Sequence, residues 1–227
     1  MAGASRTRPL PEHLAPTLAL LISPQPPNSK TITESEFNST LETYRSFELK
    51  VGKLMQGVCG PFCGVCKTPC CRVDICREAF ESPFLLAVHG AGQAFDPKSG
   101  YLGCTGCKLT IGRPPLCHAF VCDLIVKNQP SDEHRYALDC LGDLVGFIQT
   151  KVWKKRQLIE AMTDADLMYA DKSIFDARLT TAEAAFTVLD SFFTRHTTLG
   201  FHELKILSRI RKHDLPPFDI ATYSARD

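Results

Sequence analysis

The sequence predicts a mainly α protein in which an irregular, cysteine-rich module with one short hairpin packs on a helical body. Three observations predict it. Apolar residues recur at three- and four-residue steps ahead of Cys59 and again beyond Asp132, the period of a helix with one buried face. Ten of the eleven cysteines fall between Cys59 and Cys122, where glycine and proline break any regular period. The 44% hydrophobic content of 227 residues is enough for a real core without disulfide staples.

The first thirty residues hold six of the fifteen prolines and read as a flexible leader, 1–30. Leu14 to Ile22 is a short apolar stretch after Arg6 and Arg8. Pro16 interrupts it and no small-residue cleavage site follows, so a secretory signal is not expected. Thr33 and Glu36 form a capping-box pattern. Phe37, Leu41, Tyr44, Val51, Leu54, Met55 and Val58 then mark a helix that delivers the chain to Cys59, over 31–58.

A cysteine-rich module is expected over 59–127. Its front half, with Gly60, Pro61, Gly64 and Pro69 among the cysteines, is expected to lack a long regular element. Arg77 to Glu81 can make a helical turn. Ser82-Pro83 reads as an N-cap with proline at the first helical position, and the short helix through Leu85, Leu86 and Val88 should stop at Gly90 or Gly92. Ser99-Gly100 reads as a turn, and Tyr101 to Ile111 as a hairpin-like unit with Cys104-Thr105-Gly106-Cys107 at its bend.

The helical C-terminal region is expected over 128–227. Tyr136, Leu138, Leu141, Leu144, Val145, Ile148, Val152 and Trp153 make one long apolar stripe, and Cys140 within it reads as a small buried hydrophobe. Thr180 to Glu183 is a second capping-box pattern, and a last helix is expected around Leu204 to Ile210. The module alone carries little apolar material, so the sequence leaves open whether module and body are two domains or one.

Thiolates this crowded bind metal, form disulfides or do redox chemistry. A chain with its own core does not need disulfides, so a reducing, cytoplasmic setting is expected, with metal as the taker of the thiols. Cys63 to Cys66 and Cys104 to Cys107 are C-x-x-C steps. Two intervening residues let one tight turn hold both sulfurs ~3.7 Å apart on a tetrahedral ion. The expected ligands are Cys63, Cys66, Cys70, Cys71, Cys104, Cys107, Cys117 and Cys122, with Cys59, Cys76 and His118 less favoured. Adjacent Cys70 and Cys71 would point to opposite sides of an extended backbone. Spacing does not choose between zinc, the leading expectation, and iron or an iron–sulfur cluster.

The pattern resembles a known family, the YkgJ-type cysteine-cluster proteins, described as a zinc- or iron-chelating domain. Its front signature is C-x-x-C and a Cys-Cys pair, here Cys63, Cys66, Cys70 and Cys71. Its rear signature reads Cys107, Leu109, Arg113-Pro114, Cys117 and Phe120. Three residues, where the family usually has two, precede the Cys-Cys pair. His118 stands where the family usually has arginine, and Cys59, Cys76 and Cys122 lie outside the motif. The resemblance implies metal binding. One branch, the flagellin lysine methylases, adds an enzymatic role.

Cys59, Cys63 and Cys66 also spell the C-x3-C-x2-C of radical S-adenosylmethionine enzymes. The alternating strands and helices of the barrel that chemistry uses are missing from the sequence pattern. A net charge of +1 gives no global case for nucleic acid. Lys151, Lys154, Lys155 and Arg156, like Arg209, Arg211 and Lys212, read as wet helix faces. No apolar run approaches the ~20 residues of a membrane helix. The favoured function is metal binding with a structural role. The alternatives are an iron–sulfur-dependent redox or methyl-transfer enzyme and a metal-shaped adaptor for a protein partner, with substrate and partner unread.

Overall fold

A computed structural model describes residues 31–63, 65–66, 71–90, 92–103 and 106–211. The proline-rich leader lies outside the described residues, as do Cys70 and Cys104. The described chain is mostly helical, and no helix in it is long and apolar enough to cross a membrane.

Helix α1, Glu34–Cys63, is the spine. Its capping box forms as expected: the Glu36 carboxylate accepts the Thr33 amide at 2.8 Å, and Thr33 Oγ1 accepts the Glu36 amide at 3.2 Å. The stripe of Leu41, Tyr44, Phe47, Val51 and Leu54 is buried against α3, α6 and α8. The helix does not stop at Cys59. It continues through Gly60 and Pro61 to Cys63, which corrects the expectation of an irregular front half. Pro61 lies in the final turn, so the amide bond it forfeits is one of the last the helix makes.

Helices α2, Val73–Glu81, and α3, Pro83–His89, meet at Ser82. The Ser82 hydroxyl accepts the Leu85 amide at 3.4 Å, Pro83 opens the helix, and Gly90 closes it at φ 72°. Arg45 of α1 reaches over and donates Nε–H to the Val88 carbonyl at 2.9 Å, meeting one of the carbonyls that α3 leaves open at its end.

Asp96 then organises a tight turn. Its carboxylate accepts the amides of Lys98 at 2.7 Å and Ser99 at 2.8 Å, which holds it below the usual carboxylate range. The hairpin that follows pairs β1, Leu102–Gly103, with β2, Gly106–Cys107, antiparallel, Leu102 opposite Cys107. Helices α4, Pro115–Ala119, and α5, Asp123–Lys127, complete the module. Helix α4 lies hard against α6, Asp132–Gln149. A Cβ on Gly142 would stand 2.9 Å from the His118 carbonyl and 3.0 Å from Ala119 Cα, so only glycine admits this approach.

Beyond α6 the sequence reading needs two corrections. The apolar stripe does not remain helical to Trp153: α6 ends at Gln149, and Val152 and Trp153 are buried from a loop. Lys154 and Lys155 take φ 45° and 65° at the centre of a hairpin-like turn closed by Trp153 and Arg156. The basic run is thus a clip and not a helix face. Lys154 Nζ sits 4.8 Å from the centre of the Trp153 ring and 3.2 Å from Asp166.

A single-turn helix α7, Asp164–Leu167, precedes α8, Lys172–Arg195. The expected start of α8 at Thr180 is also corrected. Asp171 is the cap, accepting the Ile174 amide at 3.1 Å, and Thr180 lies inside the helix with its hydroxyl donating to the Asp176 carbonyl. Helix α9, Phe201–Leu207, closes the described chain. Arg211 beyond it pairs with Asp143 at 2.9 Å and Asp139 at 3.5 Å. One buried cluster runs from Leu41 and Phe84 through Tyr101 and Leu109 to Leu144 and Leu189, so module and body share a core.

Candidate metal centre

Two of the thiols, Cys117 and Cys59, are influenced by different sets of neighbours. The inner group has Cys76 at its heart, 8% exposed on α2, where its side chain presses against Gly100. A Cβ on Gly100 would come within 2.9 Å of Cys76 Sγ, and the backbone there has φ +62°. The Asp96 turn therefore decides how close the hairpin stands to Cys76. Cys107 follows on β2 and Cys117 on α4.

Cys117 reports the company. Burial first, and then the charges of Cys76, Cys107 and Cys71, push its thiol up to about 12, with Arg113 opposing. Cys117 itself is exposed to solvent. Thiols from separate stretches of the chain thus act by charge on Cys117.

Tyr101 completes this group. Its ring packs edge-on against His89 and Phe95, and the residue is 1% exposed. Its hydroxyl has no hydrogen-bond partner among the described residues. Burial, then the charges of Cys76 and Cys107, raises its pKa. An unsatisfied buried hydroxyl costs about 1–3 kcal/mol, which an acceptor beside it would recover.

The rear loop is pinned by a residue absent from the sequence reading. Glu48 is fully buried on α1. It accepts the Gly112 amide at 2.7 Å and the Arg113 amide at 2.9 Å, and its Oε1 stands 3.0 Å from His118 Nε2. Arg113 Nε–H donates to the Leu109 carbonyl at 2.7 Å. One carboxylate thus holds the middle of the segment between Cys107 and Cys117 and the histidine just beyond it. His118 is engaged by this carboxylate, which gives it an orienting role. The signal was present in sequence: Glu48 falls four residues after Tyr44 and three before Val51, an acid on an apolar stripe.

The outer group lies where α1 ends. Cys59 and Cys63 share a helix face, and Cys122 caps α5, which packs on α1. The Cys59 thiol is pushed up to about 11 by burial, then by Cys63 and Cys122, and donates to Met55 Sδ at 3.4 Å. The C-x-x-C step after it closes as a turn, with the Cys66 amide on the Cys63 carbonyl at 3.2 Å. Cys140 sits apart, buried on α6.

Of the expected ligands, Cys71 and Cys107, with the less favoured Cys76, act by charge on Cys117, and Cys63 and Cys122 act on the less favoured Cys59. Cys66 stands one turn beyond Cys63. Among the described residues, no three Cys, His, Asp or Glu side chains close on a single ion-sized centre. An open groove of about 600 Å³ runs past Leu116 and Ala119 of α4, between Asp143 and Arg178. No family model, curated protein or solved structure matches this chain.

Proposed function

We propose that this chain is a metal-binding protein whose inner cysteines, Cys71, Cys76, Cys107 and Cys117, hold one thiophilic ion, zinc in the first place, in a structural role. The observation that carries the reading is the buried Tyr101 hydroxyl, without a partner among the described residues, on which the charges of Cys76 and Cys107 act. A metal-bound thiolate is an acceptor, and it would give that hydroxyl its hydrogen bond. Thiols that crowd one another resist ionisation, and a divalent cation removes the resistance by supplying the opposing charge. Four sulfurs fit zinc, which takes tetrahedral thiolate sets in closed structural sites. They also fit iron, which the donor set alone does not distinguish.

When bound, the ion would tie α2, the hairpin and α4 to one point. The chain's own residues prepare this: the Asp96 turn sets the hairpin against Cys76, and Glu48 fixes the loop that carries Cys117. The resemblance to cysteine-cluster proteins agrees in kind, and Cys76 then extends the ligand set beyond that family's motif.

Cobalt titration of the reduced, metal-stripped chain tests the reading. Tetrahedral thiolate coordination gives intense visible bands, which should develop with the intact chain and fall away in Cys76→Ser and Cys117→Ser while surviving in Cys140→Ser. Equal bands in all three variants would refute the ligand set.

The groove beside α4 favours one second reading, an iron- or iron–sulfur-dependent redox or methyl-transfer enzyme. Iron with acid-labile sulfide in the anaerobically purified chain, and S-adenosylmethionine binding lost on Arg178→Ala, would replace the structural role with this one.

A further inference from the structure

The lysines of the clip that follows α6 sit in a backbone conformation that L side chains rarely adopt. Lys151, Lys154 and Lys155 have φ of 65°, 45° and 65°. Lys151 is the first residue past the α6 cap, Thr150, a place where glycine or asparagine is usual. Lys154 and Lys155 are the two central residues of the turn that Trp153 and Arg156 close. There the Trp153 amide donates to the Arg156 carbonyl at 3.3 Å, and the Arg156 amide to the Trp153 carbonyl at 2.6 Å. Positive φ at both centres is the type I′ pattern, which Asn-Gly fills with least strain.

The fold accounts for Lys154. Its ammonium stands 4.8 Å and 5.1 Å from the centres of the Trp153 and Tyr169 rings and 3.2 Å from Asp166, so it anchors the clip. Lys151, Lys155 and Arg156 are exposed, and none of them forms an ion pair among the described residues. Cations without a counter-charge thus crowd the clip, two of them where a neutral glycine would fit the backbone better.

The clip borders the groove beside α4. Its two flanking residues, Thr150 and Gln157, both line that groove, together with the apolar Leu116, Phe147 and Ile159. Two arginines line it as well. Arg178 donates to the Phe147 carbonyl at 3.0 Å and lies 4.8 Å from the centre of the Phe147 ring, and Arg209 is exposed. Neither meets a carboxylate among the described residues. Of the acids on the groove, Asp143 is already paired with Arg211, which leaves Glu78. Positive charge therefore dominates groove and clip together.

We propose that the clip and this groove form a docking surface for an acidic segment of a partner protein that also carries apolar side chains. Its carboxylates meet Lys151, Lys155 and Arg156, and its apolar side chains lie on Leu116 and Phe147. Charge complementarity selects an acidic partner. The apolar lining selects a peptide over a nucleic acid, which would bring charge but nothing to cover Leu116, 52% exposed. Trp153 is buried and offers no platform on which a base could stack. The strain then has a reason: cations are kept where the backbone favours glycine because the partner needs them there. Metal in the cysteine module plays no part in this surface, so the two proposals fail separately.

The test is fluorescence anisotropy of a short labelled peptide of Glu-Glu-Leu repeats, titrated with the full-length chain at low and at physiological salt, beside a labelled DNA duplex. The peptide should bind more tightly than the duplex, and more weakly as salt rises. Lys151→Gly combined with Lys155→Gly removes two charges and relieves two strained positions. That variant should keep or raise the melting temperature while weakening peptide binding about tenfold, the loss expected for two surface charge contacts. Arg156→Gln, which leaves the left-handed positions as they are, should weaken binding in the same direction. If the double-glycine variant melts lower than wild type, Arg156→Gln decides, and wild-type binding in it would overturn the surface. A wild-type chain that does not bind the peptide, or a double-glycine variant that binds it as tightly as wild type, would overturn it equally. Tighter binding of the duplex than of the peptide would replace the protein partner with a nucleic acid.

Discussion

At the scale of single residues, Glu48 matters most to the shape of the module. Its carboxylate is buried and engaged by two backbone amides and a histidine, so removing it strands three polar partners at once. Glu48→Ala should cost about 3–5 kcal/mol in urea unfolding, with Glu48→Gln losing less because one oxygen remains to accept. An Ala variant within about 1 kcal/mol of wild type would show that water replaces the carboxylate, and would remove Glu48 from the account. Cys140 gives a pH prediction. Burial, opposed by the Tyr136 hydrogen bond and Arg211 and aided by Asp143 and Asp139, pushes its thiol up to about 12 from an ordinary value of 9.0. Its neutral form therefore stabilises the fold fully below the ordinary value. That contribution is lost as pH rises toward the folded value, because the unfolded chain ionises first. Between pH 8 and about 10.5 the loss should be about 1–2 kcal/mol, and Cys140→Ala should flatten the unfolding profile by that amount. The thiols themselves were legible, because C-x-x-C spacing is written in the chain. Which thiols influence which was not, since that depends on which helix and hairpin carry each one.

At the scale of elements, periodicity located the helices better than it located their ends. The box at Thr33 and Glu36 and the Ser82-Pro83 start are where the sequence puts them, because side chain and backbone agree locally. Thr180 to Glu183 has the same letters inside α8, where Asp171 had already provided the cap. Val152 and Trp153 kept the apolar stripe going after α6 had ended, since a buried loop satisfies hydrophobicity as well as a helix does. The approach of α4 to α6 at Gly142 left no readable trace, because a glycine within a helix pattern has many causes. Gly142→Ala should push α4 away and cost about 1–3 kcal/mol, measured by thermal unfolding. A neutral substitution would mean that α4 yields without effort. At the hairpin, Gly100→Ala meets Cys76 directly and adds a strained φ, so its clearest effect should be weaker cobalt binding, with far-ultraviolet circular dichroism little changed. Wild-type cobalt affinity in that variant would show that the hairpin does not position Cys76.

For the molecule as a whole, the shared core changes what metal removal should do. Tyr44 and Phe84 pack edge-on at 4.9 Å, and the Tyr44 hydroxyl accepts the Gln149 amide at 2.6 Å, so α1 ties α3 to α6. The module holds little apolar material of its own, and one continuous cluster runs through it and the body. Chelation should therefore lower the melting temperature of the chain as one unit. Trp153, the sole tryptophan and part of the body, reports it by fluorescence. Its transition should move with that of circular dichroism, and a Trp153 transition left in place would make the module a separate unit. The account rests above all on metal in the inner centre. Its most direct test is the zinc, iron and sulfide content per chain of anaerobically purified wild type beside Cys107→Ser. The account predicts stoichiometric zinc in the wild type and one ion fewer in the variant. Wild-type chain that is folded yet holds no thiophilic metal, or equal metal in both proteins, would contradict it.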